Sequence, residues 1–183
     1  MVDSNTEKDP SREDIENAVI DEIRAAFANV SRKGGVSLHE ADVIDDYGTQ
    51  KQRDAARLLD TDKTWSGVPD LDIEKYDWVI HFYDPIGFRY YIPAYMVWII
   101  KNCRNPKKCG NMNFDAVIGS LCSAQNGDRF TLFTENQSRA VCLFLRYMLA
   151  HNENFVDVGG IRRALKYWCQ FCPRNINALG VRK

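Results

Sequence analysis

Gly87-Phe88-Arg89-Tyr90-Tyr91-Ile92-Pro93-Ala94-Tyr95-Met96 puts three tyrosines, an arginine and a helix-starting proline into a stretch otherwise apolar enough to be buried. The residues that continue it, Met96 to Ile100, are apolar on every side, and a helix without a polar face belongs at the centre of a core. Upstream, Asp84-Pro85 joins an N-cap residue to a proline at the first helical position, and Pro93 can open a helix in the same way. The spacing therefore predicts a helix, a kink and a second helix. Just before it, Ile73, Tyr76, Ile80 and Tyr83 share one helical face, although Trp78 to Tyr83 also fits a short buried strand. Helix is the expectation there.

The flanking sequence is written in helix signals. Ser11 with Asp14 caps a first helix whose apolar positions Ile15, Val19, Ile23 and Ala26 keep a 3.6-residue period up to Val30, before Lys33-Gly34-Gly35 interrupts it. Ser37 with Glu40, Thr49 with Gln52 and Thr134 with Gln137 form three more capping boxes. The first opens a helix that stops at Gly48, the second one that runs to Leu59, and the third the amphipathic helix of Val141, Phe144, Leu145 and Met148 that ends at Ala150. Thr61 to Asp70 reads as a loop pinned by Trp65, Asp72 starts a helix, Asn105-Pro106-Lys107-Lys108 reads as an exposed basic loop, and Arg129 to Phe133 as one short strand. A last helix begins near Asp157, with Ile161, Ala164, Leu165 and Trp168 on its inner face.

At 183 residues and 45% hydrophobic content, the chain supports one well-buried core and is short for two. The expected architecture is mostly α: a single compact helical domain over residues 11–172, of about seven to nine helices and at most one or two short strands. A disordered tail (residues 1–10) and a basic tail (residues 173–183) flank it. The polar, acidic start lacks the apolar run of a secretory signal. The longest apolar stretch, Ile92 to Ile100, is half of the roughly 18 residues a membrane span requires, so a soluble, cytoplasmic protein is expected.

The formal charge of -1 hides a strong polarity along the chain. Residues 1–36 carry 8 acids against 5 bases, residues 37–84 carry 12 against 5, and residues 85–183 carry 5 against 14. The two ends can attract each other within one fold. The acid excess of residues 37–84 then lies either on a solvated face or on a docking face for a basic partner.

Enzymatic signatures are missing. His39, His81 and His151 are scattered, and there is no nucleophile elbow, zinc-protease helix, phosphate loop or dinucleotide fingerprint, so no catalytic residue and no cofactor is expected. His81 reads as a hydrogen-bonded core histidine. Cys169-Gln170-Phe171-Cys172 has the spacing of a redox pair, but it falls at the end of a predicted helix, where the dipole disfavours a thiolate. A metal held by Cys103, Cys109, Cys169 and Cys172 would need an unusually wide spacing, so idle thiols in a reducing cytosol are expected.

Four segments in order carry a resemblance: Ile20-Asp21-Glu22-Ile23-Arg24-Ala25-Ala26-Phe27, then Phe88-Arg89-Tyr90-Tyr91-Ile92-Pro93-Ala94-Tyr95-Met96, then Leu132-Phe133-Thr134-Glu135-Asn136-Gln137, and finally Tyr167-Trp168. Together they look like an uncharacterised bacterial domain family of unknown function, over roughly residues 15 to 169. The resemblance implies a mostly helical single domain and supplies no catalytic residues.

Three functions remain open. The first is a non-enzymatic protein-binding domain, of the immunity or antitoxin type, that neutralises a cognate basic toxin such as a nuclease by occluding its active site. Its contacts would come from Asp42, Asp45, Asp46, Asp60, Asp62, Asp70 and Asp72, with Tyr47 and Trp65 as aromatic anchors. The second is a small-molecule or nucleotide site, enzymatic or not, in a pocket of Arg89 with Tyr90, Tyr91 and Tyr95, against which stands an Arg89–Asp84 pair with internally bonded tyrosines. The third is nucleic-acid binding through Arg162, Arg163, Lys166, Arg174, Arg182 and Lys183, with Tyr167 and Trp168 for stacking.

Overall fold

A computed structural model describes residues 10–109, 113–122, 127–151 and 157–172. The first helix, α1 (Arg12–Phe27), starts at its expected box: the Asp14 N–H donates to Ser11 Oγ at 3.2 Å and the Ser11 N–H to the Asp14 carboxylate at 3.0 Å. Next come α2 (Leu38–Asp45) and α3 (Gln50–Arg57), each opened by the box its sequence spells, packed on each other as a hairpin. A 3-10 turn at Trp65–Gly67, α4 (Asp70–Lys75) and a second 3-10 turn at Trp78–His81 lead into α5 (Pro85–Asn102). The chain continues through α6 (Pro106–Cys109), α7 (Asn113–Ser120), a 3-10 turn at Gly127–Phe130, α8 (Glu135–Ala150) and α9 (Val158–Trp168), which ends in a further 3-10 turn at Cys169–Phe171. The domain is helical, with no strand among the described residues. None of its described helices is long and apolar enough to cross a membrane.

Helix α5 is the axle of the core. Asp84 caps it, accepting the Gly87 N–H at 2.7 Å, and every residue from Tyr90 to Ile100 is buried. Helix α1 lies on α5 and on α8, and α9 covers the far side of α8. Gly87 is required where the loop after α1 crosses α5, because a Cβ there would sit 2.4 Å from the Val36 carbonyl oxygen.

Several local expectations are corrected. The kink at Pro93 does not divide the segment: one helix runs through it. Proline removes an N–H and leaves the Arg89 carbonyl without its helical donor, but Pro93 is buried, with every residue from Tyr90 to Ile100 inside the core, and the helix runs through it. Over Trp78 to Tyr83 there is neither the expected helix nor a strand but the 3-10 turn at Trp78–His81, and Arg129 to Phe133 holds the end of the 3-10 turn at Gly127–Phe130 rather than a strand. Pro106 starts a short helix instead of extending a loop, and Lys108 is paired with Glu74 at 2.8 Å. His81 is exposed, not in the core; its carbonyl accepts from Arg129. Cys172 is not an idle thiol: it forms a disulfide with Cys142 of α8, because the chain leaving α9 folds back onto α8, while Cys169 stays exposed and free. The two expected tails, residues 1–10 and 173–183, lie outside the described residues except for Pro10, and Arg174, Arg182 and Lys183 lie outside with them.

The charge polarity is partly consumed inside the fold. Glu22 meets Arg139, Glu74 meets Lys108, and Glu16 receives Arg104, so acids of the first half pair with bases of the second. Glu16 is the most enclosed of these acids, with a side chain 13% exposed. Tyr147, fully buried on α8, also donates to it at 2.6 Å. Burial would raise the Glu16 carboxyl, but the bonds from Arg104 and Tyr147 and the charge of Arg12 outweigh it and hold it below the ordinary glutamate range. A depressed carboxyl stabilises the fold above the unfolded value of about 4.3 and loses that contribution as pH falls through the folded one. Glu16→Ala is expected to cost about 1.5–3 kcal/mol in urea unfolding at neutral pH, with the difference from wild type shrinking in acid. An equal loss at every pH would remove the carboxylate from the account.

Candidate functional site

The tyrosine and arginine group of α5 is taken apart by the fold. Arg89 does not pair with Asp84; its Nε donates to Gln137 Oε1 at 2.9 Å, and Gln137 Nε2 donates on to the Ala26 carbonyl at 3.2 Å, so Arg89 ties α5 to α8 and α1. Tyr95 is fully buried and donates to the Tyr76 carbonyl at 2.7 Å. Tyr91, equally buried, accepts from Arg32 at 2.7 Å and from the Leu38 N–H at 3.2 Å. Tyr90 donates to Asp62 at 2.6 Å. Burial, reinforced by the carboxylates of Asp60 and Asp62, holds Tyr91 far above the ordinary tyrosine range; burial and the bond to Asp62 do the same for Tyr90, so both hydroxyls keep their protons. Arg89, Tyr91 and Tyr95 thus form no common pocket.

The acids also separate. Asp60, with a side chain only 4% exposed, accepts from the His39 N–H at 3.1 Å and lies 2.8 Å from His39 Nδ1. Its main-chain carbonyl accepts from Arg32 at 2.8 Å. Asp60 is therefore a buried junction between α2 and the loop after α1, not a surface contact, and Asp62 is occupied by Tyr90. Trp65 is buried, its indole N–H donating to the Phe27 carbonyl at 2.9 Å; it is the pin of its loop and not an anchor for a partner. Asp70 and Asp72 occupy the first turn of α4, where negative charge is favoured by the helix dipole, so they have a local reason to be acidic.

What remains is the C-terminus of α2, where Asp42, Asp45, Asp46 and Tyr47 stand together. The turn has the bond pattern of a Schellman cap: the Tyr47 N–H reaches the Ile44 carbonyl at 3.1 Å and the Gly48 N–H the Val43 carbonyl at 2.8 Å. In that motif the residue before the last donor turns left-handed and is normally glycine. Here it is Tyr47, at φ 55°, and Gly48 comes one position later. A Cβ on Gly48 would lie 2.3 Å from Val43 Cγ1, so the glycine is used up by close packing and cannot be exchanged with the tyrosine. A left-handed L-residue costs about 1–2 kcal/mol. The strained ring is 95% exposed and contributes nothing to the core that would offset this cost.

Asp42 shows the same signature electrostatically. Partial burial raises its carboxyl above the ordinary aspartate range, and the charge of Asp46 raises it further. A carboxyl raised in the folded state opposes folding while ionised, and that opposition is relieved only as pH falls through the raised value. Two neighbouring residues are thus set against stability, the pattern expected where a surface is kept for a partner.

Apart from Tyr47, sequence reasoning missed the apolar component of this region. Among the described residues, Tyr47, Leu58, Leu59, Leu71 and Trp78 are large apolar side chains left exposed in the acid-rich segment, with Leu132 the one elsewhere. Trp78 is 37% exposed and its ring is tilted toward that of Tyr76 with centroids 6.2 Å apart; the Tyr76 ring in turn meets His39 of α2 edge-on at 5.0 Å. One signal was legible: Trp78 stands off the Ile73, Tyr76, Ile80 stripe.

The other candidate sites do not assemble. No group of three or more histidine, cysteine or acidic side chains among the described residues is placed to hold a metal; Cys103 is buried beside Tyr147, and Cys172 is bonded to Cys142. On α9, Arg162, Arg163 and Lys166 are exposed, but Trp168 is fully buried and donates to the Leu121 carbonyl at 2.9 Å, so it is withdrawn from base stacking. The chain belongs to a family described as "Family of unknown function (DUF6714)", which matches residues 15–172. No curated protein matches it, and no solved structure does.

Proposed function

We propose that this protein is a non-enzymatic protein-binding domain whose contact surface is the acidic end of α2, with Tyr47 as its anchor and Trp78 as a second aromatic contact. The observation that carries this is Tyr47 itself, a fully projecting aromatic ring that directly follows Asp45 and Asp46 and sits on a left-handed backbone position that glycine would serve better. Rigid exposed aromatics are the typical anchors of interfaces, and a ring of aspartates steers a basic partner toward them. A role suited to such a surface is that of a bacterial immunity or antitoxin protein, which captures a basic toxin, a nuclease for instance, and covers its active site. The cytoplasmic setting goes with that role, because nucleases are neutralised where nucleic acid lies. The Cys142–Cys172 bond is the observation that pulls the other way, since disulfides are rare in reducing compartments.

The test is a comparison of baits in pull-downs from the native host. Wild type should retain a basic protein, with an on-rate that falls as salt rises. Asp42→Asn, Asp45→Asn and Asp46→Asn combined should slow that association about tenfold without loss of thermal stability. Tyr47→Gly should weaken binding about thirtyfold while leaving stability unchanged or raising it by up to about 1 kcal/mol. If both variants retain the same partner at wild-type rates, the surface is wrongly assigned.

A further inference from the structure

On the side of the α2–α3 hairpin where Tyr90 reaches Asp62, the loop after α1 roofs an open cleft of about 250 Å³. Four cations line it, Arg32, Lys33, Arg57 and Lys63, against the one carboxylate of Asp62. The two arginines are fixed in place. Arg32 is held by the Asp60 carbonyl and the Tyr91 hydroxyl and lies 3.7 Å from the Asp60 carboxylate; Arg57 donates to the Gly35 carbonyl at 3.0 Å and meets Glu40 at 2.6 Å. Lys33 and Lys63 are exposed and form no ion pair among the described residues. With Asp60 and Glu40 each countering one arginine, the cavity is left with two exposed lysines against the single carboxylate of Asp62, an excess of positive charge that favours an anion.

We infer that this cleft binds a phosphate group, free or carried by a small organic ester. Phosphate brings close to two charges and several acceptor oxygens, which a site with four cations can use and a single carboxylate cannot. The volume lies just under the roughly 300–1,000 Å³ of drug-sized sites, so the ligand is small. Tyr90 is the recognition element of the second part. Its hydroxyl keeps its proton and orients the Asp62 carboxylate, leaving acceptor capacity on Asp62 for a hydroxyl of the ester. This site is separate from the acidic end of α2 and does not depend on the function proposed above.

Calorimetric titration of the full chain with ribose 5-phosphate, inorganic phosphate and succinate tests the assignment. Ribose 5-phosphate should bind saturably, and Lys33→Ala with Lys63→Ala should weaken it about tenfold or more. Both lysines are exposed, and the double variant should melt where wild type does. Inorganic phosphate binding as tightly as the ester supports the site and names the free anion as its source; weaker binding supports the ester and the role of Asp62. No saturable heat with either phosphate, an unchanged affinity in the double variant, or succinate binding as tightly as the phosphates overturns the inference.

Discussion

Tyr91→Ala is expected to lower the unfolding free energy by about 3–5 kcal/mol, a large part of the roughly 5–15 kcal/mol that stabilises a domain. The ring is fully buried, stacked on Tyr83 with centroids 4.8 Å apart and set edge-on to Tyr90 at 4.9 Å. Its hydroxyl accepts two donors, the Arg32 guanidinium and the Leu38 amide. Trp98→Ala belongs in the same range, for packing alone. Tyr91→Phe separates the two parts: it keeps the ring and removes the acceptor, and should cost about 1–3 kcal/mol. Urea unfolding followed by tryptophan fluorescence measures all three. An alanine variant as stable as wild type that has lost ligand binding would place Tyr91 in a pocket and not in the core.

Asp60→Ala should be nearly as damaging, at about 3–5 kcal/mol, because it strips the partner from buried positive and donor groups rather than from solvent. The His39 amide and ring would lose their acceptor, and Arg32, 3.7 Å from the carboxylate, would lose its counter-charge. Asp46→Ala, from the same acid-rich segment, should change stability by no more than about 0.5 kcal/mol. The contrast between two aspartates fourteen positions apart is what divides the framework of this domain from its surface. Equal melting of the two variants would mean that Asp60 is no junction at all.

What could be read from the sequence was what is decided locally. The capping boxes at Ser11, Ser37, Thr49 and Thr134 open helices where they stand, and the all-apolar Met96 to Ile100 is central, because each signal is written within a turn or two of the place it governs. Pro93 was misread for the same reason: the local rule for proline is sound, and the packing that overrides it comes from helices remote in sequence. The acids of residues 37–84 posed a non-local question. Whether Asp60 faces water depends on Arg32, 28 residues earlier, and the fate of Tyr91 on the same arginine, 59 residues away. Tyr47 was picked from the sequence only as an aromatic among acids; its strained backbone is a property of the turn, visible once the Val43 and Gly48 packing is known.

The contact between α1 and α8 has a consequence for how the chain is born. The apolar stripe of α1, from Ile15 to Phe27, is covered in part by α5, ending at Asn102, and in full only when α8, ending at Ala150, has been synthesised. At about 5–20 residues per second, the first helix waits on the order of 6–25 s after leaving the ribosome with part of its apolar side uncovered. The nascent N-terminal half has no finished core to retreat into, and the acid excess of residues 1–84 gives its copies like charges that oppose their association until the basic half emerges.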